Sequence, residues 1–182
     1  IPVVGYIHRG VEKMGESLTY RKFIHISDRL DYLSAIVNNW VVSMAVEKAA
    51  GIEVNDRIQT IRTLCAELQR IQSHQLWWGV FGMDLGAFTA FLYGFRDREM
   101  VADILEETTG ARLTMNYVQP GGLMYDIHPD FVKGVKKFLA YFKPKLDEYE
   151  TLVSGNVIVQ ARLRGVGLLS PEAAVSLGTT GP

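Results

Sequence analysis

The run from Trp77 to Phe95 constrains the fold more than any other stretch, because it holds 19 residues and a single charge, Asp84. A helix crossing a bilayer needs about 20 apolar residues, and a carboxylate at mid-span costs roughly 2.5 to 3.5 kcal/mol on insertion scales. Gly79, Gly82, Gly86 and Gly94 further weaken the run as one continuous helix. It is better read as two buried helices meeting near Met83 to Gly86. Asp84 then sits at their junction behind Trp77, Trp78, Phe81 and Met83, which predicts a desolvated carboxylate with a raised pKa.

Apolar spacing makes the rest of the chain mostly helical. Val11 to Ser17 is predicted as a short helix. From Arg29 to about Ala50 the positions Leu33, Ile36, Val37, Trp40, Val41, Met44 and Ala45 fall on one helical face, with Gly51 as the stop. Ser27 or Asp28 would cap this helix, and Tyr32 would lie near its buried side. On spacing alone the stretch Ser27 to Ser34 is a capped helix with an Arg–Asp surface pair. Asn55 or Asp56 caps a second long helix through Ile58, Ile61, Leu64, Cys65, Leu68 and Ile71 toward Trp78. A third runs from about Ala87 to Thr109, stopped by Gly110.

Leu113 to Tyr117 alternates weakly before Pro120-Gly121-Gly122 and predicts a short extended piece and a turn. His128-Pro129-Asp130 opens a last long helix to about Val153, with a kink or break near Pro144, where a backbone donor is missing. Val157 to Leu163 fits either a strand or a short helix. Ser170-Pro171-Glu172 begins a final helix that Gly178 ends. The fold class expected is therefore mainly α with minor short strands, in one domain over residues 1–182. Ile1 to Gly5 has no signal-peptide pattern. A start without methionine and an end on Gly-Thr-Thr-Gly-Pro predict a fragment of a larger subunit.

Charge excludes some classes of function. A net charge of −1 lacks the basic excess that phosphate neutralisation requires, so no nucleic-acid partner is expected. Lys133, Lys136, Lys137, Lys143 and Lys145 are balanced at once by Asp147, Glu148 and Glu150, as on a solvated helix face. Cys65 is the single cysteine, which leaves no internal disulfide and no metal site built from cysteine pairs, and fits reducing surroundings. Glu47, Glu67, His74, Asp84, Arg98, Glu99 and Arg112 lie in or beside apolar stretches, where unpaired charge is costly, and are expected to pair with one another. For Glu47, Arg98 and Arg112 the expected role is structural.

Several motifs in series carry a resemblance. His8-Arg9-Gly10-Val11-Glu12-Lys13, Asp28-Arg29-Leu30-Asp31-Tyr32, Ser73-His74, Asp84-Leu85-Gly86-Ala87, Arg98-Glu99, Gly110-Ala111-Arg112 and Pro120-Gly121-Gly122 follow one another along the chain. Their order and spacing resemble the 49-kDa-type quinone-site subunit family of respiratory complex I, related to the nickel–iron hydrogenase large subunit. The resemblance covers essentially all 182 residues. It implies the helical core of the hydrogenase-like fold, without the N-terminal sheet and the C-terminal part. Where hydrogenases carry Arg-x-Cys-x-x-Cys, this chain has Arg29, Asp31 and Ser34, so no nickel–iron centre and no other metal is expected in it.

The resemblance also implies roles. Tyr32 matches the tyrosine that hydrogen-bonds a quinone carbonyl and can donate a proton to the reduced quinone. Asp84 matches the aspartate that pairs with a histidine on a loop preceding Ile1. Arg9 matches an arginine beside the terminal iron–sulfur cluster, which cysteines of the adjacent small subunit hold. Thr114 stands where the family often has a histidine near that cluster, a departure that removes a titratable group.

NADH would react at a distant subunit, and quinone would be the substrate. The partners implied are the small iron–sulfur subunit, other peripheral-arm subunits and the membrane arm. The location implied is peripheral, on the cytoplasmic side of a bacterial inner membrane, in a proton-translocating complex. The fragment alone would be inactive. Two other readings are a hydrogenase-type metal subunit, against which the missing cysteines argue, and a non-catalytic docking scaffold for the small subunit.

Overall fold

The computed structural model describes residues 2–179, so Ile1 and residues 180–182 of the expected unit lie outside it. Eight α-helices, one π-helical turn over Glu150–Ser154 and one two-stranded hairpin are the regular elements among the described residues: α1 Val11–Gly15, α2 Tyr20–Ser27, α3 Ala35–Ala50, α4 Asp56–Asp84, α5 Phe88–Thr109, β1 Val118–Gln119, β2 Gly122–Leu123, α6 Phe131–Tyr149, α7 Val157–Leu163 and α8 Pro171–Ser176. The mainly α class is as expected. No helix among the described residues is long and apolar enough to cross a membrane.

Helices α4 and α5 form the spine. Asn55 caps α4, its side chain accepting from the Ile58 N–H at 2.9 Å. The chain turns over Leu85–Ala87 and α5 returns antiparallel, which puts the helix junction where the glycine-rich run predicts it. Small residues set the approach: a Cβ on Gly94 would stand 2.6 Å from the Gln75 carbonyl oxygen, and one on Gly82 would stand 2.6 Å from the Ala90 Cβ. The glycines that weaken one long helix therefore serve to bring two helices close. Only one face of the pair is covered. Trp77, Phe88 and Leu92 stay exposed, so the two helices are half-buried rather than fully buried.

Residues Ile61, Cys65 and Leu68 of α4 meet Val101 and Leu105 of α5, Ile36 of α3, Tyr117, Val118, and Phe131, Phe138 and Phe142 of α6 in one core cluster. Burial there pushes the Cys65 thiol up to about 12, so it behaves as a small apolar core residue. The strands pair antiparallel, Val118 with Leu123 and Gln119 with Gly122, just beyond the extended piece expected at Leu113 to Tyr117. Pro120 and Gly121 make the connecting turn, where Gly121 has φ +86°, a conformation that glycine adopts without strain.

Three expectations need correction. Arg29 does not begin α3: an additional helix, α2, ends at Ser27, and residues 28–34 form turns before α3 starts at Ala35. The Asp31 Oδ1 accepts the Leu33 N–H at 3.1 Å and Asn38 Nδ2 donates to the Asp31 carbonyl at 2.7 Å, local bonds that compete with a helical turn. The buried face of α3 is Ile36, Asn39, Ser43 and Glu47, while Val41 and Met44 of the expected apolar stripe are exposed. Finally, α6 continues through Pro144, and the irregularity falls later, as a π-helical turn over Glu150–Ser154. Residues Val157 to Leu163 resolve as helix, capped by Asn156, and Ser170 caps α8 as expected.

Candidate functional site

The turn between α2 and α3 carries the chemistry singled out above. Asp28 closes α2 and is 1% exposed, with its Oδ2 accepting the Asn116 N–H at 2.8 Å and its Oδ1 unpartnered. Burial pushes this carboxyl above the usual range and outweighs the Asn116 bond. Beyond it Arg29 folds back, its Nη1 donating to the His25 carbonyl at 2.5 Å. Tyr32 follows on the hydrogen-bonded turn and is 57% exposed, so it does not pack on the buried side of a helix. Among the described residues its hydroxyl has no hydrogen-bond partner.

Asp84 is the last residue of α4 and is exposed. The desolvation expected of it is absent for a geometric reason. It shares a face with Trp77, one i, i+7 step away, and that face is itself open, while Trp77 stacks on Phe81 at 5.5 Å instead of covering the carboxylate. Arg9 is exposed in the segment before α1. Among the described residues no hydrogen bond or ion pair joins Tyr32, Asp84 and Arg9, and the structure does not bring them into one cleft.

Of the pairing expected among the trapped charges, only that of Arg98 and Arg112 with Glu99 is found: Glu47 and Glu67 pair with arginines outside that set, and His74 and Asp84 are in no ion pair among the described residues. Glu47 accepts from Arg62 through both oxygens, at 2.6 and 3.2 Å, and Arg62 also donates to the Gln119 and Gly122 carbonyls. Burial would raise the Glu47 carboxyl, but the Arg62 and Gly121 hydrogen bonds win and hold it below the ordinary carboxylate range. Arg112 bridges Glu99, Asp103 and Glu106 on the surface. Glu67 meets Arg70, also exposed, at 3.3 Å. Arg98, largely buried, reaches only Glu99 at 3.8 Å and lies over the Phe95 ring.

Two features were not singled out from the sequence. Asp97 is fully buried and accepts from Arg96 at 2.6 Å, Tyr141 at 2.9 Å and Tyr149 at 3.0 Å. These bonds hold its carboxyl below the usual range against the opposing effect of burial. Its helical phase with Ala90, Gly94 and Val101 is the signal that could have found it. The second is a cleft of about 830 Å³ between α4 and α6, whose lining includes Ser73 and His74 of α4 beside Trp78, Phe142 and Tyr149, together with Asp31 and Leu33 of the Tyr32 turn. Trp78 stacks on Tyr149 there, centroids 4.0 Å apart.

An iron–sulfur cluster held by this chain does not fit the donor set, since the one cysteine is a core residue. Residues 84–182 match the family described as the 49 Kd subunit of respiratory-chain NADH dehydrogenase. The chain is 56% identical over 177 residues to the C/D subunit of NADH-quinone oxidoreductase from Bacteroides thetaiotaomicron, covering 97% of this chain and 33% of the relative. It is 48% identical over 180 residues to the D subunit from Geobacillus kaustophilus, and 47% identical to that from Bacillus anthracis, covering 99% of this chain and 49% of each relative. The chain thus spans between a third and a half of the length of these curated relatives. With more than half of its residues matching that family and near-complete coverage by such relatives, the chain belongs to the 49-kDa subunit family of respiratory-chain NADH dehydrogenase.

Proposed function

We propose that this chain is the quinone-site core of a proton-translocating NADH:quinone oxidoreductase, helping to pass electrons from the terminal iron–sulfur cluster to quinone. The observation that carries the reading is Tyr32, a phenol on a hydrogen-bonded turn, with its side chain exposed and its hydroxyl unpartnered among the described residues. Such a hydroxyl can donate to a quinone carbonyl as the ring is reduced and can then supply a proton. Asp84, at the open end of α4, acts through a histidine of the segment preceding Ile1, orienting it toward the other carbonyl and favouring its protonated form. Arg9 places a fixed cation beside the cluster, which the adjacent small subunit holds, and so raises the cluster's potential.

The cluster supplies single electrons, and this chain supplies position and protons. In this reading the 182 residues are one domain of a longer subunit. The subunit sits peripherally on the cytoplasmic face of the inner membrane with other peripheral-arm subunits, while NADH is oxidised elsewhere.

The test is Tyr32→Phe in the assembled complex. Losing one hydrogen bond costs about 0.5 to 1.5 kcal/mol, and proton donation is lost as well. Quinone reductase turnover should fall several-fold or the apparent quinone KM should rise, while NADH still reduces the clusters at the normal rate. Asp84→Asn should have little further effect once the loop histidine is also replaced. Unchanged quinone kinetics in Tyr32→Phe would refute the reading and favour a docking scaffold.

A further inference from the structure

The turn that presents Tyr32 is held at both ends by polar side chains to which the proposed chemistry gives no task. At its far end Asn38 Nδ2 donates to the Asp31 carbonyl at 2.7 Å, and the Leu33 N–H donates to Asp31 Oδ1 at 3.1 Å. At its near end Asn39, fully buried, donates to the Ile24 carbonyl and the Ser27 hydroxyl, and Asp28 Oδ2 accepts the Asn116 N–H at 2.8 Å. Of these bonds only the last leaves α2, α3 and their turn, and it reaches a fixed point. Met115 and Tyr117, on either side of Asn116, are buried in the core cluster, and Gln119 Nε2 donates to the Asn116 carbonyl at 3.3 Å and to its Oδ1 at 3.1 Å. For folding alone Asp28 is a poor choice. It is desolvated, one of its oxygens has no partner among the described residues, and burial raises its carboxyl despite the Asn116 bond.

We infer that Asp28 is a positioning residue for Tyr32: its bond to the core-anchored Asn116 N–H fixes the head of the turn, and so the place where the phenol stands. That Tyr32 reacts rests on the quinone-site reading above; that Asp28 holds its turn rests on the Asn116 bond and on burial. A reacting group has to be held within about 0.5 Å by packing and by bonds from residues that do not themselves react. Tyr32 has little such support of its own, since its side chain is exposed and its hydroxyl is unpartnered among the described residues. Its place is therefore inherited from the backbone of residues 28–34. Arg29 ties that backbone only back to α2, through the His25 carbonyl. Asp28 ties it to the core. The requirement is for an acceptor at one place rather than for a negative charge, which separates this task from that of a proton donor or a counter-ion.

The test uses the assembled complex, with quinone reduction and NADH-to-cluster reduction each measured per assembled complex. Asp28→Ala removes the acceptor, Asp28→Glu keeps the charge but moves the carboxylate by one methylene, and Asp28→Asn keeps an acceptor in place without the charge. Asp28→Ala and Asp28→Glu should lower quinone turnover, or raise the quinone KM, by about two- to tenfold, the scale of one hydrogen bond at the reacting phenol, and Asp28→Asn should recover most of the loss. Cluster reduction by NADH should stay normal, and in Tyr32→Phe the Asp28→Ala change should cost little more, because it acts through the hydroxyl already missing there. If Asp28→Ala fails to assemble, the contrast between Asp28→Glu and Asp28→Asn decides. A purely structural residue would reduce the amount of complex and leave the kinetics of what assembles unchanged, and that result would overturn the inference. So would Asp28→Asn being as poor as Asp28→Ala, or the Asp28→Ala and Tyr32→Phe losses multiplying. Should Tyr32→Phe leave quinone kinetics unchanged, the quinone-site reading fails by itself, and amide exchange across residues 28–34 judges the hold on the turn. Faster exchange in Asp28→Ala with the parent's rate in Asp28→Asn supports that hold, and equal rates in all three proteins overturn it.

Discussion

Two buried polar positions on the same helix behave in opposite ways. Near the start of α4, Arg62 is fully buried and bonds both oxygens of Glu47 and two hairpin carbonyls. Further along, past Gln72, whose Nε2 is also unpartnered, Gln75 is equally buried and bonds nothing among the described residues. The first cluster ties α3, α4 and the β1–β2 hairpin together, and the Gly121 N–H joins it by donating to Glu47 at 2.9 Å. Folding uses both terminal nitrogens of Arg62 and both oxygens of Glu47, and leaves only the Arg62 Nε without a partner among the described residues. The Gln75 amide, by contrast, is left wholly unused by folding. The polar inner face of α3 follows from the same contrast, because Asn39 and Glu47 are each bonded across to another element.

Breaking the satisfied cluster should give the largest effect. Glu47→Ala leaves the Arg62 guanidinium buried without its counter-charge, a loss of about 3 to 5 kcal/mol for breaking one side of a buried pair. The hairpin should loosen with it, seen as faster amide exchange at Val118 and Gly121. Acid should imitate the substitution. Because Glu47 is held below its usual value of 4.5, its contribution is complete above that pH and is lost as pH falls through the depressed folded-state value. Denaturant midpoints should therefore drop on acidification below about pH 4.5 in the parent protein and drop less in Glu47→Ala.

Replacing the unsatisfied amide should change stability in the other direction. Gln75→Leu keeps the side-chain volume and removes two unpaired polar atoms, so the protein should gain about 1 to 3 kcal/mol. A thermal melt reads this directly. A loss of stability would mean that Gln75 has a partner in the folded protein and that its contrast with Arg62 is not real.

Helical phase made much of this legible beforehand. The Asn55 cap, the stops at Gly51 and Gly110, the helix junction near Gly86 and the Pro120-Gly121 turn are local signals, and each falls where spacing and turn chemistry put it. The segment 28–34 misleads because its apolar spacing continues that of α3, while the bonds of Asp31 and Asn38 that break the helix depend on side-chain geometry. Asp84 misleads for another reason: aromatic neighbours in sequence do not cover a residue when they stack on one another. Phase could have placed Gln75 and Asp97 inside, but whether they are bonded depends on α6, distant in sequence. Tyr32 stands out through the family resemblance, and its exposure is visible only in three dimensions.

The smallest expected effect lies at Asp28, which combines features of both clusters: one oxygen is bonded to the Asn116 N–H and the other has no partner. Asp28→Asn keeps an acceptor for that N–H and removes a desolvated charge. Because burial raises the folded-state pKa, the folded protein binds this proton more readily than the unfolded chain does. Its charged form therefore disfavours folding, and the associated stability, complete below the usual value of 3.8, is lost as pH rises through the raised one. At pH 7 Asp28→Asn should consequently melt slightly higher than the parent, by a gain on the order of 1 kcal/mol or less. The gain should vanish near about pH 3, where the parent carboxyl is protonated in both states. Because Asp28 anchors the turn that carries Tyr32, Asp28→Asn should leave the exposure of Tyr32 unchanged if that anchor is the Asn116 bond alone. A melting gain that persists at about pH 3 would show that relief of the buried charge is not its cause.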